Sequence, residues 1–160
     1  FATAEVEFLG HKVGLGKVEP RRQTVKALLD FPRPNNPKQL RSYLGLAGYY
    51  RRFIPHFADI AACLTNLLRK GIKFLWTTET EAAFLDLKSR FTSRPILRPP
   101  NFSKPFMLAV DASNIAIGAN LFQVIDDVEH PVCYYSKRLN VHQQRYSTVE
   151  KEALGLVLAV

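Results

Sequence analysis

Cysteine is scarce in these 160 residues: only Cys63 and Cys133 occur, far apart, with no His or Cys at ligand spacing from either. That excludes a disulfide framework and a zinc-ribbon type of site, and both thiols are expected to be ordinary buried groups in a reducing compartment. Long apolar runs are also missing. The apolar stretch 153–160 is far too short to cross a bilayer, and no signal-peptide pattern is visible, so no membrane partner is expected. Carboxylates are missing where cations are dense. Between His11 and Ala58 stand ten Lys or Arg, opposed only by Glu19 and Asp30, so that segment carries the whole net charge of +8 and the rest is neutral. A local excess of this kind fits a polyanionic partner, nucleic acid before membrane, although a solubilising surface would look the same by composition. Internal repeats and low-complexity segments are absent too.

The apolar content of 47% is enough for one ordinary domain or two small ones. Residues 6–14 read as two short strands around a turn, and Pro20 fits the first turn of a helix over 20–30 that faces inward with Val25, Leu28 and Leu29. Asn36 is an N-cap candidate, with Pro37 at N1 and Gln39 completing a capping box. Leu40, Tyr43, Leu44, Ala47 and Tyr50 then follow helical spacing, while Lys38, Arg41, Arg51 and Arg52 take the other face. A third helix is expected from Pro55 to near Gly71, with Ile60, Leu64, Leu67 and Leu68 inward. A fourth is expected behind a Thr78/Glu81 capping box, with Ala83, Phe84, Leu87 and Phe91 as its face. Prolines make 94–100 an extended linker.

The last third changes character. Residues 105–111, 115–125 and 131–135 read as three strands of an antiparallel meander, with Asp126-Asp127 at the second turn. Ser147 and Glu150 form another capping box, opening a helix with Val149, Ala153, Leu156 and Val160 on one face. The first of these strands, Phe106-Met107-Leu108-Ala109-Val110-Asp111, ends on a carboxylate, followed by small residues that let a ligand's backbone approach. A second carboxylate, Glu152, lies one turn into the last helix, where it can point toward the sheet. Glu150, at N3, is assigned to the cap instead. Two carboxylates beside a basic region suggest metal-assisted chemistry on a nucleic acid. The chain opens on Phe1-Ala2-Thr3-Ala4 without Met and stops at Val160 with no C-cap residue, which predicts a piece of a longer protein.

Six motifs, in order, resemble the pol polyprotein of gypsy-type LTR retrotransposons: Phe8-Leu9-Gly10-His11; Leu40-Arg41-Ser42-Tyr43-Leu44-Gly45-Leu46 with Tyr49-Tyr50-Arg51-Arg52-Phe53-Ile54; Phe74-Leu75-Trp76-Thr77; Ala83-Phe84-Leu85-Asp86-Leu87-Lys88; Asp111-Ala112-Ser113 with Ile117-Gly118-Ala119 and Leu121-Phe122-Gln123; and Tyr146-Ser147-Thr148-Val149-Glu150-Lys151-Glu152-Ala153-Leu154. The resemblance implies an α+β chain: residues 1–70 as the end of a reverse transcriptase palm plus a helical thumb, 71–104 as a connection segment, and 105–160 as the truncated first part of a ribonuclease H-like mixed-sheet domain. The implied parent copies RNA into DNA and cleaves the RNA of RNA–DNA hybrids, in cytoplasmic virus-like particles with later nuclear entry. Its partners would be the hybrid, the primer–template duplex and the rest of the polyprotein.

The same resemblance implies Asp111 and Glu152 as ligands of Mg²⁺ (or Mn²⁺), half of a four-carboxylate, two-metal site. Phe8, Gly10 and His11 would lie where the family holds the primer end. Lys38, Arg41, Arg51 and Arg52 would contact phosphates. Tyr49 is the open member of the tyrosine group, with Tyr43 and Tyr50 expected in the core, and Ser113 and Gln123 are further candidates for substrate contact. No Tyr-x-Asp-Asp is present, so polymerase catalysis lies outside the chain, and the fragment alone is expected to be inactive. Cys63, Glu19 and Asn120 depart from the family pattern without removing a carboxylate. Two rival readings remain: a non-catalytic nucleic-acid-binding remnant or domesticated module, and a subunit-interface role.

Overall fold

The computed structural model describes residues 4–93 and 97–160; residues 1–3, and 94–96 at the start of the expected linker, lie outside the described residues. Strands β1 (Glu5–Phe8), β2 (His11–Gly14) and β3 (Lys17–Pro20) form an antiparallel sheet in that order. The third strand corrects the expectation that Pro20 opens a helix. As the last residue of an edge strand, opposite His11, it lacks an N–H where the ladder can spare one. Helix α1 (Arg22–Leu29) starts two residues later.

Helix α2 (Pro37–Tyr49) begins as expected, with Pro37 at N1 and the Asn36 side chain accepting from the Gln39 N–H at 2.9 Å. The capping box is only half made, because Gln39 Oε1 accepts from Asn35 N rather than from the cap residue. The expected single helix from Pro55 is instead a 3-10 turn (Arg51–Phe53) followed by two short helices, α3 (Phe57–Ile60) and α4 (Ala62–Asn66). His56, with φ 55°, takes a left-handed conformation that interrupts the chain just before α3. Helix α5 (Thr78–Thr92) has its box one residue earlier than expected, on Thr77 and Thr80. The displaced Glu81 accepts from Trp76 Nε1 and pairs with Arg33 at 3.5 Å.

These helices share one core, in which Leu28, Leu40, Tyr43, Phe53, Leu64, Leu87 and Phe91 are fully buried. Tyr43 packs against Phe31 and Phe84, with ring centroids 5.3 and 4.7 Å away, yet its buried hydroxyl has no partner among the described residues. Burial also pushes that hydroxyl's pKa up. A buried, unpaired hydroxyl costs about 1–3 kcal/mol. Tyr43→Phe is therefore expected to raise stability by about 1 kcal/mol, read as a higher urea midpoint at unchanged slope. A lower midpoint would mean that the hydroxyl is satisfied in solution.

Strands β4 (Met107–Ala112), β5 (Ala116–Ile125) and β6 (Val128–Arg138) form the expected meander. Its second turn is Asp126-Asp127, both at positive φ (53° and 58°), the backbone demanded by a type I′ two-residue hairpin. β6 runs three residues past the expected Tyr135 end and starts three residues before the expected Pro131. β4 is not deeply buried: it alternates exposed and half-buried residues.

Helix α6 (Thr148–Ala159) opens with the expected box, Ser147 and Glu150 reciprocally bonded. These bonds hold the Glu150 carboxyl below its ordinary pKa. Its packing face differs from expectation. Lys151 and Gly155 are buried, whereas Val149, Leu156 and Val160 are exposed. Gly155 has no side chain to hold the helix off, so α6 lies directly on Val110 and Ile117.

Candidate nucleic-acid interface and carboxylate site

The hairpin tip between β1 and β2 is fixed from α2. Tyr49 Oη donates to Leu9 O at 2.5 Å and Tyr50 Oη to Gly10 O at 2.7 Å. Gly10, at φ 76°, lies so close that a Cβ would stand 3.2 Å from the Tyr50 hydroxyl and 3.3 Å from the Tyr49 ring. His11 stacks on Phe53, and its Nδ1 bonds Leu9 O at 2.8 Å, while its buried Nε2 has no partner among the described residues. Phe8 and Tyr49 remain 64% and 53% exposed, so both can meet a ligand. Tyr43 and Tyr50 are in the core, as their spacing predicts.

Lys38, Arg41, Arg51 and Arg52 are all exposed, and none has a carboxylate partner among the described residues. Cations left unpaired on one segment are free to neutralise phosphates.

Two of the expected contact residues are occupied within the chain. Gln123 is only 2% exposed, and its amide ties down the 101–105 loop through Asn101 N, Asn101 O and Lys104 O. Ser113 Oγ donates to Asp59 Oδ1 at 2.5 Å and accepts from Ala116 N at 2.9 Å. Their polarity, which suggested substrate contact, is spent on holding a loop and on docking the first half against the sheet.

Asp111 sits in the row Asp111–Gly118–Ser136 across the three strands. Directly paired residues point to the same face, and here that face meets the first half of the chain. The His56 ring lies over Gly118, where a Cβ would come within 2.9 Å of Nδ1, and the same nitrogen is 4.0 Å from Asp111 Oδ2. Asp111 lines a cleft of about 220 Å³ with Pro55, His56, Asn120 and Tyr134. Its side chain is 77% exposed.

Glu152 is placed differently. Val110 and Asp111 alternate across the strand, and Val110 faces α6, so α6 covers the face opposite Asp111. The residue turned toward the sheet is Lys151, whose Nζ reaches Asn114 Oδ1 at 3.1 Å; Glu152 itself is exposed. β4, which carries Asp111, is an edge strand of the sheet, and Glu152 lies in the first turns of the helix packed on it. Their oxygens suit a hard divalent cation, but among the described residues no three His, Cys, Asp or Glu gather as a metal site. The cysteines are half-buried and free.

The chain is thus a three-stranded meander capped by a helix and docked on a group of helices with a basic surface. Residues 76–160 match the family described as the RNase H-like domain found in reverse transcriptase, and the chain belongs to that family. It is 42% identical over 160 residues to the retrovirus-related Pol polyprotein from transposon 297 of Drosophila melanogaster, covering 99% of this chain and 15% of that polyprotein. It is 35% identical over 158 residues to the transposon Tf2-3 polyprotein of Schizosaccharomyces pombe, covering 98% of this chain and 12% of that polyprotein. The chain thus spans less than a sixth of these relatives. The resemblance to retrotransposon pol polyproteins is borne out. A foamy viral protease-reverse transcriptase in complex with an RNA/DNA hybrid superposes with a TM-score of 0.84 at 22% identity, over 98% of this chain and 21% of that one. The same viral protein in complex with dsDNA gives 0.83 at 21% identity, over 98% of this chain and 33% of that one. These likenesses bear out the α+β fold.

Proposed function

We propose that this chain is the thumb and the first part of the ribonuclease H domain of a retrotransposon reverse transcriptase, and that it grips the nucleic-acid duplex for a longer protein. The division follows residues 1–70, 71–104 and 105–160. The parent would copy RNA into DNA and hydrolyse the RNA of the hybrid, in cytoplasmic particles with later nuclear entry. The observation that carries the reading is the set of exposed cations Lys38, Arg41, Arg51 and Arg52, without carboxylate partners among the described residues, on the helix and turn from which Tyr49 and Tyr50 clamp the hairpin tip. Phe8 and Tyr49 would lie against the duplex end, and Gly10 and His11 would hold the tip in shape.

Asp111 and Glu152 would supply two carboxylates toward a divalent-metal site completed by residues outside this chain. Mg²⁺ or Mn²⁺ bound there would polarise the scissile phosphate and activate water. Within this chain, the exposed Asp111 carboxylate is the group best placed for that role.

The test is hybrid binding against salt. Each phosphate contact contributes about 0.9 to the slope of log K on log salt. Lys38→Ala with Arg41→Ala is expected to lower the slope by about 1.8, equally for any base sequence. Salt-independent self-association without hybrid binding would replace this reading with a subunit-interface role.

A further inference from the structure

Lys151, at the end of the first turn of α6, is only 7% exposed. An ammonium is costly to bury without a counter-charge, and among the described residues Lys151 has none. No Asp or Glu stands three or four positions from it on the helix, no ion pair includes it, and the neighbouring Glu150 is held in the cap. Its side-chain bond among the described residues goes to a neutral oxygen, Asn114 Oδ1, at 3.1 Å. An apolar side chain would fill the same place at less cost. What an apolar side chain could not supply is a directed bond to that one point of the sheet.

The point is the turn that follows Asp111. β4 ends at Ala112 and β5 begins at Ala116. Ser113 Oγ closes the turn by accepting from Ala116 N at 2.9 Å, and it ties the turn to α3 through Asp59. Ile115 O accepts from Leu139 N at 2.8 Å, just past β6. Asn114, between them, is taken by α6. The turn is held from three sides, and Lys151 supplies the third.

The same bond orients the helix. Gly155 seats α6 on Val110 and Ile117. One contact leaves a helix free to pivot about it. Lys151, one turn earlier on the same stripe, adds a second contact about 6 Å away along the axis. Two contacts fix both the direction of the helix and its rotation. Glu152 is the next residue, about 100° further round, so its carboxylate goes where Lys151 is pinned. At the other end of the bond, Asn114 lies three positions after Asp111.

We infer that Lys151 is a positioning residue for the carboxylate site: through Asn114 it fixes where α6 presents Glu152 relative to Asp111. Resting on the ribonuclease reading above, this role adds to the site a residue that acts only through others.

Lys151→Met, Lys151→Arg and Asn114→Ala, each in a protein that carries this chain within the longer polyprotein, test it by Mg²⁺-dependent cleavage of an RNA–DNA hybrid. Lys151→Met is expected to lower kcat by about tenfold to a hundredfold with KM unchanged, the cost of misplacing a reacting group by about 1 Å. Asn114→Ala is expected to do the same, and the double variant no more than either alone, because both cut one contact. Lys151→Arg keeps a donor and is expected to retain most of the activity. Two further readouts, on this chain itself, need no cleavage. Amide hydrogen exchange at residues 113–116 is expected to quicken in Lys151→Met while that of β1–β3 stays the same. Thermal stability is expected to hold or rise, because an apolar side chain replaces a buried ammonium and exposed Asn114 is left to water. Lower stability with unchanged kcat would make Lys151 merely structural and overturn the proposal. Additive losses in the double variant, or unaltered exchange at 113–116, would overturn it too. Absence of cleavage by the unmodified protein would instead overturn the ribonuclease reading and this role with it, whatever the exchange shows of the contact.

Discussion

Asp111→Asn, placed in a protein that carries this chain within the longer polyprotein, is expected to lower Mg²⁺-dependent cleavage of an RNA–DNA hybrid by about a thousandfold while leaving hybrid binding unchanged. Losing one hard oxygen ligand is worth several kcal/mol of charge stabilisation, and about 1.4 kcal/mol is tenfold in rate. Asn keeps the shape of the side chain beside His56, and Asp111 is 77% exposed, so the fold has little to lose. Binding is assigned to cations elsewhere, which separates the two readouts. Unchanged cleavage would remove Asp111 from the site. Hybrid binding with no cleavage in either protein would favour a non-catalytic binding module.

The second large effect concerns stability. Gly155→Val is expected to destabilise the chain by about 2 kcal/mol, lowering Tm by roughly 4–8 °C. A Cβ at Gly155 would overlap the Val110 Cγ1 methyl and stand 3.2 Å from Ile117 Cγ2, both in the sheet beneath the helix. Valine's better helix propensity returns only part of the overpacking cost. Gly45→Ala is the matched control. Gly45 lies in α2 with nothing within 4 Å of an added Cβ, so there the same kind of change is expected to add about 0.5–1 kcal/mol. A thermal melt in which both variants move the same way would show that α6 does not pack closely on β4 in solution.

What could be read from the sequence was local chemistry. The Ser147/Glu150 box, the Asn36 cap, Pro37 at N1 and the Asp126-Asp127 turn all appear where nearby residues demand them, because each is decided within four or five positions. The Thr77/Thr80 box slipped by one because Thr77 and Thr78 are both plausible caps, and only the competing pull of Trp76 and Arg33 on Glu81 separates them. The α6 face was misread for another reason. The helix is apolar nearly all round, so periodicity does not pick a side; close contact at Gly155 does, and it turns Lys151 inward.

The junction between the halves was illegible altogether. Ala58 to Ser136, Asp59 to Ser113 and Arg138 to Asn66 join residues more than fifty positions apart. Two of those bonds, with Arg138 to Ala62 O, tie the two short helices that replace the expected third helix to β6. Of the candidate site, residue types could be read but directions could not. Gln123 and Ser113 looked available and are engaged, while Lys151 looked ordinary and is turned inward.

The two tyrosine hydroxyls that hold the hairpin tip reach back forty residues, from the last turn of α2. The tip is therefore coupled to that helix like the handle of a crank. A tilt of α2 is delivered to Phe8 through two short, stiff side chains, with no intervening loop to absorb it. With a strand end resting on Phe8, as proposed, any swing of the helix would shift that end together with the tip.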